Sequence, residues 1–72
     1  MGLTKYQIAL ELLKDYVNRT KKNWIWTADL KSLMRRRLSE SSGYQALFSL
    51  REEGIITEKS LNKWNIKIAD EN

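Results

Sequence analysis

The clearest chemistry in this chain belongs to a set of hydrogen-bonding side chains with no acid among them. Ser41, Ser42, Tyr44, Gln45 and Ser49 recur at spacings that place them on one side of a helix. Hydroxyl and amide groups can form hydrogen bonds with base edges or phosphates. Short side chains also let the helix backbone approach a nucleic-acid groove closely. An ordinary solvated helix face carries Lys and Glu instead. The pattern indicates a binding surface, with a merely polar face as the alternative.

Basic residues flank this stretch on both sides. Guanidinium groups form paired hydrogen bonds with phosphates, and ammonium groups attract them as point charges. The candidates for phosphate contact are Arg35, Arg36, Arg37, Arg51, Lys59 and Lys63. The alternative for the three consecutive arginines is that they complement the negative C-terminal end of a helix and keep the protein soluble.

The composition argues against catalysis. The chain has no Cys and no His, which excludes disulfides, thiolate or imidazole metal sites, and nucleophilic catalysis that depends on either residue. The acidic residues are scattered and no pattern pairs them. We therefore expect no enzymatic activity, no catalytic residue, no metal site and no cofactor.

Length and charge favour a small domain that binds a polyanion. The 72 residues suffice for a single domain, 1–72, in which 70–72 form a frayed acidic tail. Lys and Arg number 13 against 9 Asp and Glu, a net charge of +4; without Asp70 and Glu71 the acids number 7. A small domain with this excess of basic residues is typical of nucleic-acid-binding proteins. No signal peptide or membrane-spanning run is apparent, so we expect a cytoplasmic protein without membrane contact.

Hydrophobic periodicity and capping residues predict three helices. Thr4, Thr27 and Ser39 are candidate N-caps, and Gly54 can end the last helix in a left-handed conformation. The predicted helices cover residues 4–19, 28–38 and 40–53. The last two are separated by only about three residues, so they must cross steeply, as in a helix-turn-helix.

Alternating apolar residues predict three short strands. These are 24–26, 55–59 and 63–68, with a turn at 60–62 in which Asn62 suits a left-handed position. We expect the first strand to pair with the third. We also expect Trp64, Ile66 and Ile68 to face the core, with Trp64 largely buried.

The first predicted helix has more apolar surface than one core requires. Besides a main stripe, Ile8, Leu12 and Tyr16 form a second row at intervals of four residues. An isologous homodimer through this row is the favoured interpretation. The alternative is that loops and the small sheet cover it.

The most specific segment runs through the last two helices into the second strand. Leu38-Ser39 is followed by Ser41-Ser42-Gly43 and Ala46-Leu47, and then by Leu-Arg-Glu-Glu-Gly-Ile-Ile at residues 50–56. This segment, together with the predicted order of helices and strands, resembles the winged helix-turn-helix superfamily, specifically small bacterial, phage, plasmid and archaeal transcriptional regulators. Many of these end their recognition helix with a similar Leu-x-Glu-x-Gly-Leu-Ile run.

The resemblance implies an α+β fold with three helices and a small three-stranded antiparallel sheet, ordered α1-β1-α2-α3-β2-wing-β3. It implies a dimeric regulator or repressor that reads the major groove of double-stranded DNA with the helix at 40–53. Its location would be the nucleoid, or the host cytoplasm if the protein is viral. The main alternative is a winged-helix module that binds a protein partner through Tyr44 and Phe48 and binds no DNA. A third alternative is single-stranded nucleic-acid binding by stacking on Trp24 or Trp26.

Overall fold

The protein is an α+β domain of three helices and one three-stranded antiparallel sheet. The computed structural model describes residues 2–68, so the expected acidic tail at 70–72 lies outside the described residues. The helices are α1 (Lys5–Thr20), α2 (Thr27–Met34) and α3 (Glu40–Glu52). The strands are β1 (Trp24–Trp26), β2 (Ile56–Ser60) and β3 (Lys63–Ile66). Within the described part, no helix is long and apolar enough to cross a membrane.

Two of the three expected N-caps are confirmed. Thr4 caps α1 in a reciprocal box: its hydroxyl accepts from the Gln7 backbone N–H at 3.1 Å, and the Gln7 side chain accepts from the Thr4 N–H at 3.0 Å. Ser39 caps α3 by accepting from the Ser42 N–H at 3.2 Å. Each bond satisfies a helix-end donor that would otherwise lack a partner. Gly54 follows α3 with φ +77°, as expected for a left-handed helix stop.

Thr27 does not act as the third N-cap. The residue at the cap position of α2 is Trp26, and no side chain bonds to the helix-end amides there. The Thr27 hydroxyl instead accepts a hydrogen bond from the Trp64 indole Nε1–H at 2.9 Å. The Thr27 backbone N–H donates to the Asn62 carbonyl at 2.8 Å. The first turn of α2 is therefore bonded to the hairpin, which sequence spacing could not reveal.

The sheet has the expected pairing, in the order β1-β3-β2. Ile25 lies opposite Trp64, and Ile56 lies opposite Ile66, so these four residues share the face that meets the helices. The hairpin turns through Asn62 in the expected left-handed conformation, φ +64°. A register shift occurs between Glu58 and Ser60. Trp64 faces the core, as expected, and is partly buried against it, as is Ile68.

One core joins all three helices to the inner face of the sheet. Its buried members are Ala9, Leu12, Leu13, Ile25, Leu30, Leu33, Met34, Leu38, Ala46, Leu50, Ile56 and Ile66. Gly43 lies where α3 crosses α2; a Cβ there would stand 3.5 Å from the Met34 Cβ. That distance is an ordinary van der Waals contact, so the two helices pack closely here without strictly requiring glycine.

The core also corrects a premise of the expected dimer. Leu12 is only 7% exposed within a single chain, and Ile8 and Tyr16 are partly buried against the same core. The Tyr16 hydroxyl donates to the Trp24 carbonyl at 3.2 Å. The second apolar row of α1 is therefore largely covered by the fold itself, as the alternative supposed. A homodimer through Ile8, Leu12 and Tyr16 remains a prediction, in which Leu12 has little exposed surface to contribute.

Candidate nucleic-acid interface

The free side of α3 is a continuous stripe that we call the α3 surface: Ser41, Tyr44, Gln45 and Phe48. These residues recur every three or four positions and are all exposed. Tyr44 is 51% exposed and Phe48 is 64% exposed, which is unusual for large rings. Both rings of this aromatic pair are therefore part of the exposed stripe and available for contact.

Two of the expected base-contact residues are less accessible than the rest. Ser42 and Ser49 are partly buried, seven positions apart on one flank of α3. The other three candidates, Ser41, Tyr44 and Gln45, lie together on the α3 surface. The structure thus brings part of the predicted set together and adds Phe48 at its C-terminal end.

Basic side chains from the other two helices border the α3 surface. The Lys5 ammonium of α1 donates to the Gln45 Oε1 at 2.5 Å, with both residues exposed. On the opposite border, the Lys31 ammonium of α2 lies 5.7 Å from the centroid of the Tyr44 ring. Lys5 and Lys31 were missed from the sequence because only the packing of α1 and α2 against α3 brings them there. The exposed position of each on its own helix was the only available signal.

The three consecutive arginines do not act as a group. The helix predicted to contain them ends at Met34, and Arg35 to Arg37 form a turn in which the N–H groups of Arg36 and Arg37 bond to the Leu33 and Met34 carbonyls at 3.2 and 3.3 Å. The prediction that they fill the last helical turn is wrong. The two helices are consequently joined by the longer segment 35–39.

The arginine side chains divide between two sides of the domain. Arg35 lines a hollow between α2 and the start of α3, together with Lys31, Tyr44 and the acidic Glu40. Arg36 and Arg37 instead line a surface depression with Glu11 and Asp15 of α1. The Arg37 Nη1 lies 3.3 Å from a Glu11 carboxylate oxygen. Arg35 is therefore beside the α3 surface, whereas Arg36 and Arg37 lie against α1, where Arg37 is paired with Glu11.

The remaining basic candidates lie on or near the hairpin. Lys59 is exposed near the tip. The Arg51 guanidinium, at the end of α3, lies 5.9 Å from the centroid of the Trp64 ring, on the helix side of the sheet. The Lys63 side chain lies over the rings of Trp24 and Trp26, on the outer side of the sheet. Lys63 is thus directed away from the α3 surface.

An apolar groove adjoins the α3 surface on the α2 side. Leu30, Leu47, Phe48 and Trp64 line it, and Arg51 lies at its rim. Among residues 2–68, no group of three or more His, Cys, Asp or Glu is arranged to hold a metal ion. The arrangement can offer aromatic and amide contacts in the centre and positive charge on two borders.

Comparisons with protein-family models, with curated proteins and with solved structures found no significant match to this chain.

Proposed function

We propose that this protein is a sequence-preferring double-stranded DNA-binding protein of the winged helix-turn-helix type, acting in transcription regulation. In this proposal α3 enters the major groove and the hairpin β2–β3 is the wing. The observation that carries it is the α3 surface, which has no acid from Ser41 to Ser49 and is bordered by Lys5 on one side and by Lys31 and Arg35 on the other.

The dimensions and chemistry of α3 suit the major groove. The groove, about 12 Å wide, admits one α-helix. Ser41, Tyr44 and Gln45 lie in the N-terminal half of α3, the part that usually reaches base edges. Gln45 is the side chain suited to a paired contact with adenine, and Phe48 can meet a thymine methyl group. The Gln45 Oε1 has a second lone pair beyond the one that Lys5 occupies, so the Lys5 contact does not preclude the paired contact with adenine.

A salt-dependent titration with a matched pair of charge variants tests the proposal. Binding of labelled duplexes from the DNA flanking the gene should weaken steeply with salt, and Lys31→Gln should lower the slope of log K against log salt by about 1. Lys14→Gln removes the same charge from an exposed position in α1 whose neighbours Glu11 and Asp15 form a polar face. It should leave the slope unchanged. Equal effects of both variants would mean diffuse attraction between charges and would contradict a defined surface.

A protein partner is the second candidate, because Tyr44 and Phe48 are both large and exposed beside the apolar groove. Exposed aromatic pairs next to a groove are typical anchors of protein interfaces. Absence of duplex binding at low salt, in a folded protein, would favour this candidate over DNA.

A further inference from the structure

The outer face of the sheet carries two tryptophans that the core does not use. Ile25, between them, is fully buried on the inner face, so Trp24 and Trp26 lie on the opposite face. Trp26 is 46% exposed. The residues directly across from them on β3 are Asn65 and Lys63, which share this outer face. Tryptophans in strands are more often buried, so their position here requires another explanation.

Two ammonium groups lie against these rings. The Lys63 Nζ is 4.4 Å from the centroid of Trp24 and 4.9 Å from that of Trp26. The Lys22 Nζ is 5.1 Å from the centroid of Trp24. The two indole rings are perpendicular, with centroids 5.5 Å apart. We call these four residues the tryptophan face.

The charges on this face are basic. Of the strand residues that register places on the outer side besides the tryptophans, Thr57, Ser60 and Asn65 are neutral and Lys63 is basic. An anion would therefore meet no repulsion from the strands beneath it. A simple inorganic anion would leave the half-exposed indole of Trp26 without a contact.

We propose that the tryptophan face binds single-stranded nucleic acid, with a base stacked on Trp26 and adjacent phosphates held by Lys22 and Lys63. Unpaired bases expose the ring faces that aromatic side chains stack on, whereas bases inside a duplex do not. An ammonium over an exposed ring is weakly held, so the Lys63 Nζ can move to a phosphate when a base takes its place. This surface shares no residue with the α3 surface, so the inference does not depend on duplex binding.

Two variants at one position separate stacking from folding. Trp26→Leu keeps an apolar side chain but removes the ring, whereas Trp26→Tyr keeps an aromatic face. The probe is a labelled strand of about 12 thymidines, followed by fluorescence anisotropy at low salt. Trp26→Leu should weaken binding by about 5- to 100-fold, and Trp26→Tyr should bind nearly as well as the unaltered protein. Thermal unfolding by circular dichroism establishes that both variants are folded.

Phe48→Ala is the control on the other surface, and it should leave affinity for the thymidine strand unchanged. Each of four results would overturn the inference: no binding of the strand at low salt, equal losses in Trp26→Leu and Trp26→Tyr, loss on Phe48→Ala, or equal displacement by polyglutamate. Duplex binding is measured in parallel. A protein that binds duplex but not the single strand would overturn this inference alone, and the reverse result would overturn only the proposed duplex binding.

Discussion

The bond between Thr27 and Trp64 allows a test of which interaction holds α2 against the hairpin. The Thr27 hydroxyl accepts from the Trp64 indole N–H at 2.9 Å and makes no capping bond. Thr27→Val removes the hydroxyl while keeping the shape and a similar helix propensity. Since Trp64 is only partly buried, water can reach the freed N–H, so the loss should be that of an ordinary hydrogen bond, about 0.5–1.5 kcal/mol.

A double-mutant cycle separates this bond from a cap. Trp64→Phe removes the indole N–H and some packing. In the Trp64→Phe background, Thr27→Val should change the free energy of unfolding by close to nothing. The coupling free energy should therefore be about 1 kcal/mol, equivalent to a shift in midpoint of about 4–8 °C for a domain of this size. Thermal and urea unfolding followed by far-ultraviolet circular dichroism gives all four values, with Thr27→Ser as the control that keeps the hydroxyl. If Thr27→Val costs about 1 kcal/mol both with and without the indole N–H, the hydroxyl acts as a cap and the placement of Trp64 is wrong.

Three further predictions concern the core and the α3 surface. Leu12→Glu should unfold the protein rather than give a folded monomer, because burying a carboxylate costs several kcal/mol and a domain of this size has only a few to lose; circular dichroism measures this directly. Gln45→Ala should cost about 1–3 kcal/mol on the preferred duplex and little on random DNA, and equal losses on both would assign Gln45 to phosphate contact. Arg35→Gln should reduce the salt slope by about 1, whereas Arg37→Gln should not, since Arg37 is paired with Glu11; matching titrations of the two variants would contradict the division of the arginines.

The elements that the sequence predicted well are those controlled by local chemistry. Thr4 and Ser39 are effective caps because a hydroxyl reaches amides only three positions away. Gly54, which has no Cβ, and Asn62, whose short amide side chain tolerates positive φ, occupy the left-handed conformations expected of them. The pairing of β1 with β3 was also predicted, because a two-stranded hairpin needs a further strand and only one other run was suited to it.

Most of the errors arose from contacts between residues distant in sequence. Thr27 is a residue type that commonly caps helices, yet its hydroxyl accepts a hydrogen bond from a tryptophan 37 positions away. Leu12 belongs to an apparently surplus row, but the core extends far enough to bury it. The arginines after Met34 have a favourable position for a helix end, and the chain turns there instead so that Leu38 can enter the core.

The candidate site was predicted in part for the same reason. The position and polarity of Ser41, Tyr44 and Gln45 follow from helical periodicity alone. The borders formed by Lys5 and Lys31 depend on how three helices pack, and the exposure of Trp26 depends on which face of β1 meets the core. Neither property is encoded in local spacing.

The most direct test of duplex binding by α3 is a titration of ¹⁵N-labelled protein with a short duplex, followed by amide chemical-shift mapping. If α3 enters the major groove, the largest changes should fall on Ser41 to Phe48, with smaller changes at Lys5, Lys31 and Arg35 on the two borders of the α3 surface. Changes confined to Trp24, Trp26 and Lys63, or no change at low salt in a folded protein, would contradict duplex binding by α3.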